Sequence, residues 1–302
     1  MMTWTVLKLL RWTTGYLEKR GVISPRLEAE RLLGKALGLN RIQLYLNHDR
    51  PLYSEELARF KPLLLKRAKG FPLQYVLGET EFFALPFWVH PPVFIPRPET
   101  EALVEAVLER VKGNDLLIAD ICTGVGNIAI ALARNLHRAE VFAVDISRKS
   151  ISLARRNARR NGVSGKIRFF LGDLLDPLWG MGLSGKLDAI VSNPPYIPTE
   201  ELESLPQEVR HEDPLALDGG EDGTVFHRRL AKESGHFLKP GGLLAMEVGA
   251  GQAEKVAGIL RRYGWKGIEV LQDLSGIGRV VIGRRDESRG DSIHPDRQAH
   301  FT

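Results

Sequence analysis

From residue 115 onward this chain alternates strand-like and helix-like segments, and that alternation restricts the fold more than any other feature. Leu116–Ile121, Glu140–Val144, Lys166–Leu171, Leu187–Ser192 and Leu243–Val248 are short, mainly apolar runs. Between them, Asn127–Leu136, Ser147–Asn161, Phe226–Leu238 and Gln252–Tyr263 carry helical spacing, and Gly162 closes the second of these. Strands separated by helices pair in parallel, with the helices covering both faces of the sheet. Further strands near 267–271 and 279–283 complete it. The expectation is an α/β, Rossmann-like fold with a mostly parallel sheet.

The front of the chain has another texture. Residues 1–85 read as helices: Ser24-Pro25 offers an N-cap followed by proline in the first turn, leading into Leu27, Leu32, Leu33 and Leu37, with Gly38 as the stop. Ser54-Glu55-Glu56 opens another helix with acids at its positive end, and Leu57, Phe60, Leu63 and Leu64 form its apolar stripe. These leucines are expected in a core. Residues 73–96, rich in aromatics and prolines, read as strands or a hairpin, and a helix follows from about 99 to 112. The expected domains are therefore 1–72, helical; 73–98, a linker with a β-hairpin; 99–284, the sheet domain; and 285–302, a polar tail without periodicity that is expected to be disordered.

Charge and cysteine content narrow the class. The net charge is +5, and residues 1–85 contribute +6 of it, with 14 Lys and Arg against 8 Asp and Glu. The basic residues there are dispersed, so a solvated helical surface is favoured over a nucleic-acid binding face. A single cysteine, Cys122, excludes an internal disulfide and any cysteine-rich metal site, which suits the cytoplasm. No run reaches the ~18 apolar residues of a membrane span, and no signal-peptide core precedes Trp12. His211, Glu212 and Asp213 are adjacent but read as a surface loop, and no cluster has metal-ligand spacing.

Chemistry concentrates at the ends of the strands. Leu187–Ser192 runs into Asn193-Pro194-Pro195-Tyr196. Neither proline can donate to a ladder, so pairing must stop there. Asn193 brings a side-chain carbonyl and Pro194 a backbone carbonyl, two acceptors able to grip a planar –NH2 group while Tyr196 packs on its flat face. The structural alternative is a proline-terminated strand with Asn193 satisfying a turn. The first strand ends in Asp120-Ile121-Cys122-Thr123-Gly124-Val125-Gly126, a turn into a helix whose glycines permit close backbone approach. It is neither the dinucleotide fingerprint nor a P-loop. Asp145 ends the second strand, where an acid can accept from ribose hydroxyls, and Asp173-Leu174 follows the third, suited to an adenine amine and ring. Each acid alone reads as a cap or turn residue. Together they favour a nucleoside ligand.

Glycine turn, ribose acid, adenine acid and Asn-Pro-Pro-Tyr stand in the order found in class I S-adenosylmethionine-dependent methyltransferases. Phe94-Ile95-Pro96-Arg97-Pro98-Glu99-Thr100-Glu101 resembles the signature linker of the HemK/PrmC family, and Val191–Ile197 its fourth motif. Ala216–Gly223 and Lys239-Pro240-Gly241-Gly242 are also similar, and the resemblance runs from about residue 2 to 284. It departs at Cys122, where the family often has glycine and where a positive φ would be less comfortable.

The resemblance implies a seven-stranded class I methyltransferase domain behind a small helical substrate-recognition domain. It implies methylation of the side-chain amide nitrogen of the glutamine in the Gly-Gly-Gln motif of class 1 peptide chain release factors, in the cytoplasm and by a monomer. S-adenosylmethionine would be the donor and S-adenosylhomocysteine the product, with no metal, membrane or direct nucleic-acid substrate. Cofactor contacts would come from Cys122, Thr123, Gly124, Val125, Gly126, Asp145, Asp173, Leu174 and Asn193. Asn193 and Pro194 would hold the glutamine, with Pro195, Tyr196 and Phe94 around it. The rivals are a methyltransferase acting on N6 of adenine or another exocyclic amine of nucleic acid, and a non-catalytic module that keeps the nucleoside fold as scaffold.

Overall fold

Proline in the first turn and glycine just past the last suit a helix between them, and the helix from Pro25 to Leu37 takes this form. In the computed structural model, which describes residues 4–273 and 275–286, Ser24 precedes Pro25, and Gly38 closes the helix with φ +68°. The Ser24 hydroxyl makes no capping bond. This is α2; α1 is Val6–Glu18, α3 Arg41–Leu46, α4 Ser54–Ala68 and α5 Leu73–Leu77. They belong to a unit extending to Thr80 and including Val89–Pro92 and Leu205–Glu212. Its core is built from Val6, Leu10, Leu17, Leu32, Leu33, Leu44, Phe60 and Leu64. Leu27, expected among them, is 46% exposed.

Two further expectations are corrected here. Leu73–Leu77 is a helix rather than a strand, because Pro72 starts it and Gly78, at φ +76°, ends it. His211 and Glu212 are not a loose surface loop: His211 lies in a 3-10 turn and stacks on Phe71 with ring centroids 4.1 Å apart, and Glu212 is buried. Asp213 caps a short turn by accepting from the Leu215 N–H.

The second unit holds Glu81–Trp88, Val93–Ser204 and the chain from Asp213. A hairpin pairs β1, Glu79–Phe82, with β2, Leu85–Trp88. Its turn residues Phe83 and Ala84 have φ +52° and +55°, the left-handed pair of a tight hairpin, here made without glycine. Then come α6 Glu101–Arg110, β3 Leu116–Ile121, α7 Asn127–Asn135, β4 Ala139–Asp145, α8 Arg148–Arg160, β5 Ile167–Leu171, β6 Leu187–Ser192, α9 Val225–Phe237, β7 Leu238–Glu247, α10 Ala253–Arg262, β8 Lys266–Gln272 and β9 Gly278–Arg284. Asn157 of α8 clamps the hairpin by accepting from the Trp88 N–H at 2.8 Å and donating to the Trp88 carbonyl at 3.1 Å.

The sheet has seven strands in the order β5-β4-β3-β6-β7-β9-β8. β3 to β7 are parallel, and β9 runs antiparallel to both β7 and β8. Successive strands step outward from β3 to β5, and the chain then returns to place β6 on the other side of β3. Such a reversal opens a crevice at the carboxyl ends of the two strands, where open α/β sheets bind ligands. The register aligns those ends: Ile121 faces Val144 on one side and Ser192 on the other, and Asp145 faces Leu171. All but Arg285 and Asp286 of the expected disordered tail lies outside the described residues.

Candidate active site

The β3 turn is held from beneath by a buried acid. Asp120 accepts from the Thr123 hydroxyl at 2.5 Å and from the Ala129 N–H at 3.0 Å. Gly126 is the N-cap of α7 and has no side chain to cap with, so Asp120 supplies the missing acceptor. Its other oxygen, Oδ1, is buried with no hydrogen-bond partner among the described residues. Burial pushes this carboxyl up to about 7.

The five turn residues divide by what they face. Thr123 is buried onto Asp120, and the Val125 side chain is buried while its carbonyl accepts from Asn157. A side chain on Gly126 would meet Ala154 at 3.1 Å, so that glycine serves helix packing. Gly124, at φ +54°, has nothing within 4 Å on that side. Cys122 does adopt the left-handed region, at φ +63°, and its thiol is pushed up by burial. What this turn leaves for a ligand is backbone and the open side of Gly124, not the side chains of Thr123 or Val125.

Asp145 joins the turn directly. Its Oδ2 accepts from the Gly124 N–H and its Oδ1 from the Ser147 N–H, both at 2.8 Å. Burial raises its pKa against those bonds and one from the Ser150 side chain. A carboxylate has about four acceptor directions, so part of its capacity remains open. Asp173 is differently placed: Arg229 of α9 holds it with bonds of 3.3 and 2.7 Å. Leu174 beside it is buried and held at φ +45°. Non-glycine residues in that region are strained, and such strain clusters at binding sites.

At the end of β6 the Asn193 side-chain nitrogen donates to Thr100 Oγ1 at 3.2 Å. Among the described residues neither Asn193 Oδ1 nor the Pro194 carbonyl accepts a hydrogen bond, although Pro194 is buried and Asn193 partly so. The Tyr196 carbonyl accepts from Gln252 at 2.8 Å. Gly219 packs so closely on the Tyr196 backbone that a Cβ there would lie 2.7 Å from its Cα. The bend is thus fixed from two sides. Burial pushes the Tyr196 phenol up to about 12, with Glu247 acting in the same direction. Phe94 carries the Arg97 guanidinium over its ring at 4.9 Å, so one face is occupied.

The structure brings in groups that the sequence reading passed over. Thr100 lies within the linker motif Phe94–Glu101, whose pattern gives it no role of its own. Glu247 is an acid inside the apolar run Leu243–Val248, a signal that was available. It is 2% exposed, burial pushes it up to about 7, and its Oε2 has no hydrogen-bond partner among the described residues. Asp120 carried the same kind of signal. Arg229 sits on α9 and Gln252 at the N-cap of α10, with nothing in their local pattern to mark them.

A nucleoside and a planar amine fit this crevice. The unpartnered Asp120 oxygen, the open face of Gly124 and the strained Leu174 lie along β3 to β5, and the two unused acceptors lie on β6. This is the arrangement of an S-adenosylmethionine-dependent methyltransferase. The methyltransferase small domain model matches residues 87–254, and the PrmC N-terminal domain model matches residues 8–78. A methyltransferase structure from Pyrococcus furiosus superposes with a TM-score of 0.50 at 19% identity, covering 68% of this chain and 90% of its own. The release factor glutamine methyltransferase of Geobacter sulfurreducens is 48% identical over 282 residues, 93% of this chain and 97% of that protein. Its counterpart in Moorella thermoacetica is 45% identical, covering 88% and 94%. The chain belongs to the release factor glutamine methyltransferase family. Among the described residues, no helix is long and apolar enough to cross a membrane.

Proposed function

We propose that this enzyme methylates the side-chain amide nitrogen of the glutamine in the Gly-Gly-Gln motif of class 1 peptide chain release factors, acting in the cytoplasm as a monomer. The observation that carries the substrate chemistry is the pair of unused acceptors at Asn193 Oδ1 and the Pro194 carbonyl, on adjacent residues of a bend that Gln252 and Gly219 hold at Tyr196. An amide –NH2 has two hydrogens and a lone pair spread into its π system. Two aimed acceptors orient the nitrogen and favour the pyramidal form in which that lone pair can react.

Bound S-adenosylmethionine supplies a methyl group made electrophilic by its sulfonium. The residues that would hold it are those along β3 to β5: the backbone of Cys122, Gly124 and Gly126, Asp145 at the ribose, and Asp173 with Leu174 at the adenine. Arg229 holds Asp173 through two guanidinium bonds and limits its rotation. Tyr196 and the free side of Phe94 flank the carboxamide and keep water from the nitrogen.

The test is transfer of labelled methyl from the cofactor to a purified class 1 release factor, with duplex DNA and RNA as parallel substrates. Label on the Gly-Gly-Gln glutamine, located by mass spectrometry, is the expected result. Label on nucleic acid alone would overturn the reading.

A further inference from the structure

We propose that the outer face of α8, with the edge strand β5 beside it, binds RNA through its phosphate backbone and tethers the enzyme without reading sequence. The choice of RNA over DNA rests on the release-factor reading above; the surface itself does not. From 146 to 172 the chain carries eight Lys and Arg and no Asp or Glu, a surplus larger than the +5 of the whole molecule. α8 holds six of these cations. Arg148, Arg155 and Arg159 follow i, i+7, i+11 along one stripe of the helix, and Lys149, Arg156 and Arg160 repeat that spacing one residue on. All but Arg160 are exposed, while Ile151, Leu153, Ala154 and Ala158 are buried on the inward face.

Folding alone does not ask for this arrangement. Arg148 and Lys149 stand in the first turn, at the positive end of the helix dipole, with no acid there to offset them. Arg155 and Arg159 are like charges one turn apart, and such pairs weaken a helix. Elsewhere arginines meet acids, as Arg67 meets Glu28, Arg138 Asp115 and Arg229 Asp173. Among the described residues Arg148, Lys149, Arg155, Arg156 and Arg159 make no ion pair.

The geometry suits a phosphate chain. Arg155 and Arg159 line an open hollow of about 260 Å3 with Ser164, Ile167 and Phe169. Arg155 donates one N–H to the Phe169 carbonyl of β5 at 3.1 Å, which steadies its arm and leaves the rest of its donor fork for a ligand. Arg156 and Arg160 lie over the Trp88 ring, 5.2 and 4.8 Å from its centroid, so the second stripe is steadied as well. Guanidinium forks grip phosphate bidentately. The cations recur over about 20 Å of helix, a length along which a nucleic-acid strand supplies anions at regular intervals. α8 exposes no apolar side chain that could enter a bilayer. A translation-factor substrate brings RNA, rather than DNA, next to the enzyme.

The test uses the full-length enzyme and a labelled single-stranded RNA longer than the contact surface, followed by anisotropy. With about four phosphates engaged, log affinity falls against log salt with a slope of about 2.8, roughly 50-fold for a fourfold rise in salt. The quadruple variant Arg148→Gln, Lys149→Gln, Arg155→Gln, Arg159→Gln should bind at least about tenfold more weakly at low salt and flatten that slope. It leaves Arg156 and Arg160 on Trp88, and its methyl transfer to a release factor in the absence of RNA should match the wild type. Arg11→Gln, Lys19→Gln, Arg31→Gln, Lys61→Gln removes the same charge from other exposed positions and should keep wild-type RNA binding. In cell extract, RNase but not DNase should release the wild-type enzyme from sedimenting nucleic acid. Wild-type RNA binding by the α8 variant, or equal losses in both variants, would overturn the surface. So would tighter binding to polyglutamate or to phosphatidylglycerol vesicles than to the RNA. Release by DNase alone would overturn the assignment to RNA. Salt-dependent RNA binding that the α8 variant loses, in an enzyme that fails to methylate release factor, would sink the substrate reading and leave the surface standing.

Discussion

The turns that follow β3 and β6 stand side by side in the sheet and are built on opposite principles. The β3 turn is a set of backbone groups bent into left-handed conformations at Cys122, Gly124 and Gly126, tied down by the acids Asp120 and Asp145. The β6 turn is poor in donors: Pro194 and Pro195 lack N–H, and the Asn193 side-chain nitrogen donates to Thr100. One is rigid because acceptors hold its N–H groups; the other is rigid because proline and close packing leave it nowhere to go. The lesson is that one sheet can present a cofactor cradle and a substrate grip next to each other by changing only what the strand ends offer.

Asn193→Ala tests the second turn and carries the largest expected effect. Removal of one preorganised polar contact in comparable sites costs about 100- to 1000-fold in turnover, and a loss of that size in kcat is expected with cofactor affinity little changed. Single-turnover methyl transfer and calorimetry separate the two. Equal losses in both would place Asn193 mainly on the cofactor and erase the contrast between the turns.

Asp145→Ala tests the first turn from its exposed side. It removes the acceptor for the Gly124 and Ser147 N–H groups as well as the proposed ribose contact. A charge-assisted contact is worth about 2 kcal/mol, roughly 30-fold in Kd. Calorimetry with S-adenosylmethionine should show that loss, and unchanged affinity would reduce Asp145 to a turn residue.

Asp120→Asn tests the same turn from beneath, through pH. The sign follows from burial: the folded-state value of about 7 lies above the ordinary 3.8, so folding favours the protonated carboxyl. The stability it confers is complete below about 4 and declines as pH rises through 7. Asparagine does not titrate. The variant should therefore gain on the wild type between those limits, by up to about 1.4 kcal/mol per pH unit. Urea unfolding at pH 5 and pH 8 measures it, and a pH-independent difference would show that Asp120 is ionised in the fold.

How far the sequence revealed these turns depends on the range of the interactions involved. The strands β3 and β6 and the helix α8 were legible because hydrophobic period and capping are local, and Leu116–Ile121 and Leu187–Ser192 were placed to the residue. Asn193, Asp145 and Gly124 were legible because strand ends concentrate unusual chemistry. Thr100 and Arg229 were not, because their importance lies in contacts 93 residues away for Thr100 with Asn193 and 56 for Arg229 with Asp173. Leu73–Leu77 was misread because aromatic and branched residues suit strands, yet Pro72 and Gly78 frame one helical turn. The Val125 side chain is buried and a Cβ on Gly126 would meet Ala154, packing over long sequence range that the turn's own pattern does not display.

Cys122→Gly has the smallest expected effect and tests whether the β3 turn works through its backbone. At φ +63° a residue with Cβ pays about 1 kcal/mol relative to glycine. The side chain returns a similar amount by packing against the core that includes Ile121, Val144 and Met246. The two terms nearly cancel, so stability should move by less than about 1 kcal/mol in either direction. Cofactor affinity should be unchanged within about twofold, because the backbone groups of the turn survive the substitution. Chemical denaturation and calorimetry on the same protein decide it. A large loss of affinity with stability intact would mean that the Cys122 side chain itself shapes the cradle, and the contrast between a backbone-built turn and a side-chain-built one would no longer hold.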